Sequence, residues 1–229
     1  MSELTGDADQ ARHVGIDFGS IGPRERYKLL IGTVVPRPIA LVTTRHPTGA
    51  VNAAPFSFFN CLTADPPILA LGVENHDDMS FKDTGLNIRL TEEFTVNVVD
   101  HALMQAMNVC AVPFPPLVDE LDAAGLTSVP GSSVACPYIR EAPVAFECRR
   151  YMTLEVGKSR EIILGKVLRM HIRPDLVDLE RFHVDQDAID AVGRMGGHGY
   201  ATTRDQFQLP TMSYEKWSAL HRANGVPTA

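Results

Sequence analysis

The chain has 229 residues, a length that suits one well-buried domain and is short for two. Hydrophobic residues make up 45% of it and charged residues 21%, which is the balance of a soluble globular protein. The formal net charge of −7 and the scattered Lys and Arg argue against nucleic acid as a partner. No stretch approaches the roughly 20 apolar residues of a membrane helix, so no membrane association is expected.

Residues 1–22 carry acidic side chains and no apolar core region, so we expect a flexible N-terminal arm and not a secretory signal. One domain is expected over residues 23–229. The cysteines are far apart and form no CxxC pair; they are Cys61, Cys110, Cys136 and Cys148. This spacing favours reduced thiols in a cytoplasmic protein and argues against a structural metal site.

Helices and strands can be predicted along the chain from local pattern. A short helix is expected at residues 24–31, before Pro36 interrupts it. Apolar and β-branched runs predict strands at 38–44, 52–63, 68–73 and 94–99. Capping and breaker residues predict further helices at 80–90 with Ser80 as N-cap, at 101–111, at 117–124 and at 214–222.

The clearest period-two signal comes from two later segments, residues 146–156 and 162–172. Around a turn at 157–160 they predict a long antiparallel hairpin with one buried face. Because the predicted strands cluster and do not alternate regularly with helices, a doubly wound α/β fold is disfavoured. The expected class is mainly β with peripheral helices, arranged as an antiparallel β-barrel.

Residues 52–60 combine small residues, amides and phenylalanines, as in Asn52, Ala54, Phe56 and Asn60. Small residues allow close backbone approach, and a planar heterocycle such as isoalloxazine needs both apolar surface and backbone donors. The alternative is an ordinary barrel strand with core phenylalanines, which the spacing alone favours.

Residues 80–85 place Ser80, Lys82 and Thr84 at the start of a predicted helix. Free amides, the helix dipole and the lysine charge would favour a phosphate there. The same pattern is also common as a plain helix cap. Neither a GxxxxGK[ST] loop nor a GxGxxG motif is present.

Residues 193–200 form a glycine-rich loop that presents Arg194, His198 and Tyr200. These three side chains could bind a phosphate, protonate a flavin or stack on a ring. A flexible connector with incidental polar residues is the alternative. The chain has no GxSxG and no HExxH motif, and none of its cysteines has a recognisable activating context.

The order and spacing of many short motifs resemble the flavin reductase-like, FMN-binding split-barrel family, over roughly residues 25–210. The matching segments are 35–44, 52–60, 65–67, 82–84, 87–88, 94–97, 119–120, 125–126, 133–134, 141–144 and 193–197. The resemblance implies an antiparallel split β-barrel, a homodimer and one FMN per subunit near the interface.

The resemblance also implies a set of site residues. Residues 52–60 would line the isoalloxazine, and Lys82, Asp83 and Thr84 would lie at the phosphate. The loop at 194–200 would approach the flavin, with Arg194 and His198 as catalytic candidates. The full set of expected cofactor-binding residues is Arg37, Thr43, Thr44, Asn52, Ala53, Ala54, Pro55, Phe56, Ser57, Asn60, Lys82, Asp83, Thr84 and Tyr200.

The function that the resemblance implies is an NAD(P)H:flavin oxidoreductase, in which hydride passes from nicotinamide C4 to flavin N5. Without a dinucleotide-binding motif, NAD(P)H would bind transiently by stacking on the flavin. The reduced flavin would serve a monooxygenase partner. Two alternatives stay open, because fold does not fix function: an FMN enzyme with its own small aromatic substrate, and a flavoredoxin-like electron carrier.

Overall fold

The computed structural model describes residues 13–223. Most of the predicted N-terminal arm, residues 1–12, lies outside the described residues. Residues 13–22 are mostly exposed and lead into the first helix. In the described part of the chain, no helix is long and apolar enough to cross a membrane.

The chain forms short helices around a set of antiparallel strands. The helices are α1 (Pro23–Thr33), α2 (Asp83–Thr91), α3 (Met104–Val109), α4 (Glu120–Ala124), α5 (Gln186–Ile189) and α6 (Tyr214–Ala223), with a 3₁₀ turn at Pro174–Leu176. The first strands are β1 (Arg37–Pro38), β2 (Ala40–Arg45), β3 (Val51–Phe56), β4 (Phe59–Ala64), β5 (Pro67–Glu74), β6 (Glu93–Val98) and β7 (Ser128–Val129). The others are β8 (Tyr138–Ile139), β9 (Val144–Gly157), β10 (Arg160–Ile172), β11 (Val177–Asp178), β12 (His183–Val184), β13 (Val192–Arg194) and β14 (Tyr200–Thr202).

Seven strands form the main antiparallel sheet in the order β3-β2-β6-β9-β10-β5-β4. A smaller sheet, β1-β13-β14, places Arg37 opposite Arg194. Two further pairs, β7 with β8 and β11 with β12, lie outside these sheets. The predicted class, mainly β with peripheral helices, is confirmed.

The main sheet curls around its own core. Val42 on β2 and Leu71 on β5 belong to one buried cluster, although three strands separate β2 from β5 in the sheet. On the opposite face of β2, Leu41 enters a second buried cluster with Leu103 and Leu121 of the peripheral helical segments. Because successive side chains of a strand point to opposite faces, β2 is buried on both.

A glycine on β10 allows the barrel core to close. A Cβ at Gly165 would overlap the ring of Phe94, which is fully buried. We therefore expect Gly165→Ala to lower the free energy of unfolding by about 1–3 kcal/mol, the usual cost of overpacking a core. Urea denaturation measures this change. Gly32→Ala is the matched control, since a Cβ there meets nothing within 4 Å; an equal loss in both variants would contradict the prediction.

Several predicted helix starts were wrong. The helix predicted at 80–90 begins at Asp83 with Lys82 as N-cap, and the Ser80 hydroxyl donates to Asp78 Oδ1 at 2.6 Å. The helix predicted at 117–124 begins at Glu120, because Leu117 has a φ of 69° and Asp119 provides the cap. The helix predicted at 101–111 is shortened to α3, and the strand predicted at 52–63 is divided into β3 and β4.

The predicted hairpin is confirmed as β9 and β10, with its turn between Gly157 and Arg160. Its predicted buried face is wrong for the distal half. That half of β9 extends past the last β6 partner, at Glu93 opposite Arg149, and its apolar side chains are exposed. We call its exposed apolar side chains the hairpin patch: Tyr151, Met152, Leu154 and Val156, each 43–57% exposed.

Candidate functional site

Two adjoining cavities lie on either side of the end of β3. The first, of about 650 Å³, faces the start of α2, and we call it the helix cavity. The second, of about 550 Å³, faces the glycine-rich loop, and we call it the loop cavity. Both are lined by Tyr27, Pro55, Phe56, Ser57 and Ala111. The helix cavity adds Asn52, Ala54, Lys82, Asp83 and Thr84 of the predicted set, and the loop cavity adds Arg194, His198 and Tyr200.

The segment before α2 is held by a side chain that the sequence analysis did not single out. Asn75 is buried, and its Oδ1 accepts the Lys82 N–H at 3.2 Å. Its Nδ2 donates to Glu161 Oε2 at 3.0 Å, and Glu161 forms an ion pair with Arg89. This chain of contacts fixes where α2 begins.

The start of α2 opens into the helix cavity with unused donors. In the described part of the chain, no protein acceptor is recorded for the N–H groups of Asp83, Thr84 and Gly85. An α-helix leaves such groups without intrahelical partners, and its dipole favours an anion beside them. Lys82 adds a positive charge that forms no ion pair with the described residues. The arrangement is suited to a phosphate.

The threonines predicted for the site lie behind it. Thr44 is fully buried, and its Oγ1 accepts from Asn52 Nδ2 at 3.3 Å and from Asn87 Nδ2 at 3.0 Å. Asn52 also donates to Thr84 Oγ1 at 3.0 Å. Thr43 is fully buried and donates to the Pro137 carbonyl. Neither threonine lines either of these two cavities: Thr44 supports β3 and α2 from behind, and Thr43 points to the opposite face of β2.

Arg37 is another predicted residue that the structure places behind the cavities. Its Nη1 donates to the carbonyls of Ile31 at 2.8 Å and Val34 at 2.7 Å, at the end of α1. Its Nη2 donates to the Met195 carbonyl at 3.2 Å, and its Nε lies 3.5 Å from Ser57 Oγ. The side chain therefore ties α1 and the glycine-rich loop to the end of β3.

Two further predicted residues are also apart from these cavities. The Ala53 side chain is in the core, and only its backbone N–H points toward a cavity-lining group. Asn60 on β4 lines a different, mostly apolar cavity of about 470 Å³, together with Phe59 and Cys61.

The glycine-rich loop presents its polar side chains to the loop cavity. The Arg194 guanidinium lies over the Tyr200 ring at 4.5 Å from its centroid, and Arg194 Nη2 donates to the Gly197 carbonyl at 2.6 Å. Gly197 has a φ of 57°, which favours glycine. His198 lines the same cavity and is exposed.

Glu120 is a cavity residue that sequence reasoning missed. It is 8% exposed, lines the helix cavity and accepts the Ala53 N–H through Oε2 at 2.9 Å. Burial raises the pKa of its carboxyl, and the negative charge of Asp83 acts in the same direction. An acidic residue at the start of a helix is common, so local pattern gave no signal.

Burial also raises the pKa of the neighbouring Cys110 thiol to about 12, so this thiol is no nucleophile at neutral pH.

Comparisons with known proteins agree with this architecture. The sequence profile of the flavin reductase like domain matches residues 31–185. A protein of Deinococcus radiodurans is 45% identical over 211 residues, covering 90% of this chain and 92% of that protein.

Two solved structures are also similar. Nitrilotriacetate monooxygenase component B from Bacillus cereus superposes with a TM-score of 0.82 at 30% identity, covering 86% of this chain and 98% of that chain. The 2-nitrobenzoate 2-nitroreductase NbaA from Pseudomonas fluorescens gives a TM-score of 0.81 at 34% identity, covering 88% and 98%. The sheet order, the curled core and these matches together show that the chain belongs to the flavin reductase-like domain family and has its split-barrel fold.

Proposed function

We propose that the chain is an FMN-binding oxidoreductase. It transfers hydride from NAD(P)H to flavin and supplies the reduced flavin to an acceptor. One observation carries this proposal: β3, the start of α2 and the glycine-rich loop meet at two adjoining cavities. The helix cavity would hold FMN, and the loop cavity would admit the second reactant beside it.

The residues present fit FMN. The free N–H groups at the start of α2 and the Lys82 charge suit its phosphate. Tyr27, Pro55 and Phe56, shared by both cavities, offer apolar surface for a flat ring, and Ala54 leaves room for close approach. The volumes of about 650 and 550 Å³ lie within the range of cofactor and substrate sites.

When bound, FMN supplies the hydride-accepting ring, and the protein binds, orients and excludes water. Arg37 fixes the glycine-rich loop against β3 and so sets the width of the loop cavity. Arg194 brings a positive charge to that cavity, which favours the anionic reduced state of a nearby ring. His198 lines the same cavity and is our candidate for moving a proton there.

Lys82→Ala is expected to weaken FMN binding about tenfold while the spectrum of the bound flavin stays the same. The lysine charge acts on the phosphate and not on the ring, so the affinity for FMN changes and the absorbance spectrum of the bound flavin does not. Titration of apoprotein with FMN, followed by flavin fluorescence, measures both. Lys166→Ala, on the exposed side of β10 and outside both cavities, is the matched control. Unchanged affinity in Lys82→Ala would remove this assignment.

An anaerobic absorbance titration with NADH and then NADPH tests the function itself. A bound flavin spectrum that bleaches with either nucleotide supports a reductase and identifies its donor. Failure to bind flavin, even after incubation with FMN, would contradict the proposal.

A second candidate is an FMN enzyme that reduces its own small aromatic substrate. The loop cavity favours it, because Arg194, His198 and Tyr200 offer charge, hydrogen bonding and a ring face beside the helix cavity. The similarity to a 2-nitrobenzoate 2-nitroreductase points the same way, as the similarity to a monooxygenase component points to a reductase with a partner enzyme. Rapid NAD(P)H oxidation with free FMN supports the reductase; turnover only with an added aromatic compound supports the second candidate.

A further inference from the structure

A buried carboxyl group lies in the wall of the helix cavity without a full set of partners. Glu120, the first residue of α4, is 8% exposed, and its Oε2 accepts the Ala53 N–H at 2.9 Å. Its only other hydrogen bond within the described part of the chain is from its own backbone N–H, and it forms no ion pair there. Hydride transfer does not require such a group, so its presence beside the cavity needs another explanation.

The charges around Glu120 are mostly negative. From α2, Asp83 and Lys82 line the same cavity. From its own helix, Asp119 caps α4 by accepting the N–H groups of Leu121 and Asp122. The other ionisable groups of the cavity are Tyr27 from α1, Cys110, whose pKa is raised to about 12, His76, and Glu74, which is paired with Arg160.

If Asp83 and Glu120 were both ionised, their two negative charges would outweigh the single positive charge of Lys82. That balance opposes the binding of a phosphate dianion at the start of α2. Burial raises the pKa of Glu120, and the charge of Asp83 adds to the effect. A phosphate nearby would act in the same direction. Protonating Glu120 therefore removes the repulsion at the lowest cost, since Asp83 is less buried.

We propose that Glu120 is a further flavin-binding residue, which carries a proton whenever the phosphate of FMN occupies the helix cavity. Binding then takes up one proton from solvent: the Glu120 carboxylate, a proton and FMN give the neutral carboxylic acid beside bound FMN. The inference rests on the proposed function, and it goes beyond it by assigning Glu120 and a pH dependence of affinity.

Calorimetric titration of wild-type apoprotein in buffers of different ionisation enthalpy measures the protons taken up. The titration is run at about pH 8, where the phosphate of free FMN, with its second pKa of about 6, is already a dianion. We expect a net uptake of up to one proton per FMN, and an affinity that falls by up to about tenfold per pH unit as pH rises above the pKa of Glu120 in the apoprotein. Riboflavin, which has no phosphate, should bind without this uptake. Equal uptake with riboflavin, or none with FMN, would overturn the inference.

The Glu120→Gln variant provides a second, independent test. Glutamine keeps an acceptor for the Ala53 N–H and is neutral at every pH, so its FMN affinity should not change with pH above the range in which the phosphate titrates. At about pH 8 it should exceed the wild-type affinity by about tenfold. Asp122→Asn removes the same charge from the exposed side of the same helix and should behave as wild type. A Glu120→Gln variant that retains the wild-type proton uptake would contradict the assignment of the proton to Glu120.

The two proposals fail in different ways. If FMN binds neither protein at any pH, the proposed function fails and this inference fails with it. If FMN binds without coupled protons, only the role of Glu120 is overturned.

Discussion

Glu147→Ala is expected to lower the free energy of unfolding by about 3–5 kcal/mol, the cost of leaving a buried charged network unpaired. The carboxylate has no exposed surface and accepts the N–H groups of Ser132 at 2.9 Å, Ser133, and Val134 at 2.9 Å. The Ser132 hydroxyl at 3.0 Å and His171 Nε2 complete its contacts. Removing the Glu147 carboxylate leaves several donors without an acceptor, since these backbone N–H groups have no other acceptor in the described chain.

The same carboxylate gives the fold a predictable acid sensitivity. Burial by itself would raise the pKa of Glu147, but hydrogen bonds from His171, Ser132 and Ser133 outweigh it and hold the pKa at about 2. A glutamate pKa lowered by folding contributes stability that is complete above the unfolded value of about 4.3 and is lost as pH falls through about 2. The contribution is on the order of 3 kcal/mol at neutral pH.

Urea unfolding at about pH 7 and about pH 3 tests both statements. Wild-type stability should fall between these values more than that of Glu147→Gln, which has no charge to lose at this position. Glu180→Ala, an exposed glutamate outside the network, should change stability by less than about 0.5 kcal/mol. A loss in Glu147→Ala no larger than in this control would show that the network is not needed for stability.

Elements fixed by their own local pattern were predictable from sequence. The sequence marks the hairpin of β9 and β10 by a period-two pattern and a turn with Gly157, and the strands and the turn are found where the pattern predicts them. The start of α2 was not predictable in the same way. Ser80 is a good N-cap by type, yet Asp78 takes its hydroxyl, and the Lys82 N–H is taken by Asn75. The contact that decides where α2 begins joins Asn75 and Lys82, seven positions apart, and a capping pattern considers only residues within one helical turn.

The candidate site shows the same limit. Residues 54–57 and 82–84 meet in one cavity, as the resemblance implies, but the resemblance cannot tell lining residues from the layer behind them. Thr43 and Thr44 are both fully buried because β2 lies between β3 and β6 and is covered on both faces. Glu120 was missed for the converse reason. Its burial arises only when α4 packs on β3, which no local pattern records.

The distal half of the hairpin leaves apolar side chains exposed. The hairpin patch places several half-exposed apolar side chains together on one projecting element. Exposed apolar side chains clustered on one element of a protein of ordinary composition are typical of an interface. A second copy of the chain is the occupant that the resemblance implies, so we expect a homodimer through this patch.

Leu154→Glu should convert that dimer to a monomer. Leu154 is 43% exposed and lies among the other apolar side chains of the patch, so dimerisation would bury it. A carboxylate there would have to lose its hydration without a partner, which costs several kcal/mol and should raise the dimer dissociation constant at least about 100-fold. Sedimentation velocity over a dilution series measures the change.

The matched control is Leu179→Glu, which introduces the same charge at a leucine 70% exposed and outside the hairpin patch. It should leave the dimer intact, so that a difference between the two variants reports on position and not on net charge. Circular dichroism of both variants separates dissociation from unfolding, since residues 151–156 make few core contacts and their substitution should spare the barrel. A wild-type protein that sediments as a monomer, or a Leu154→Glu variant that remains dimeric, would place the interface elsewhere. In that case the exposed half of β9 and β10 would need a different partner, because its apolar surface would still be uncovered.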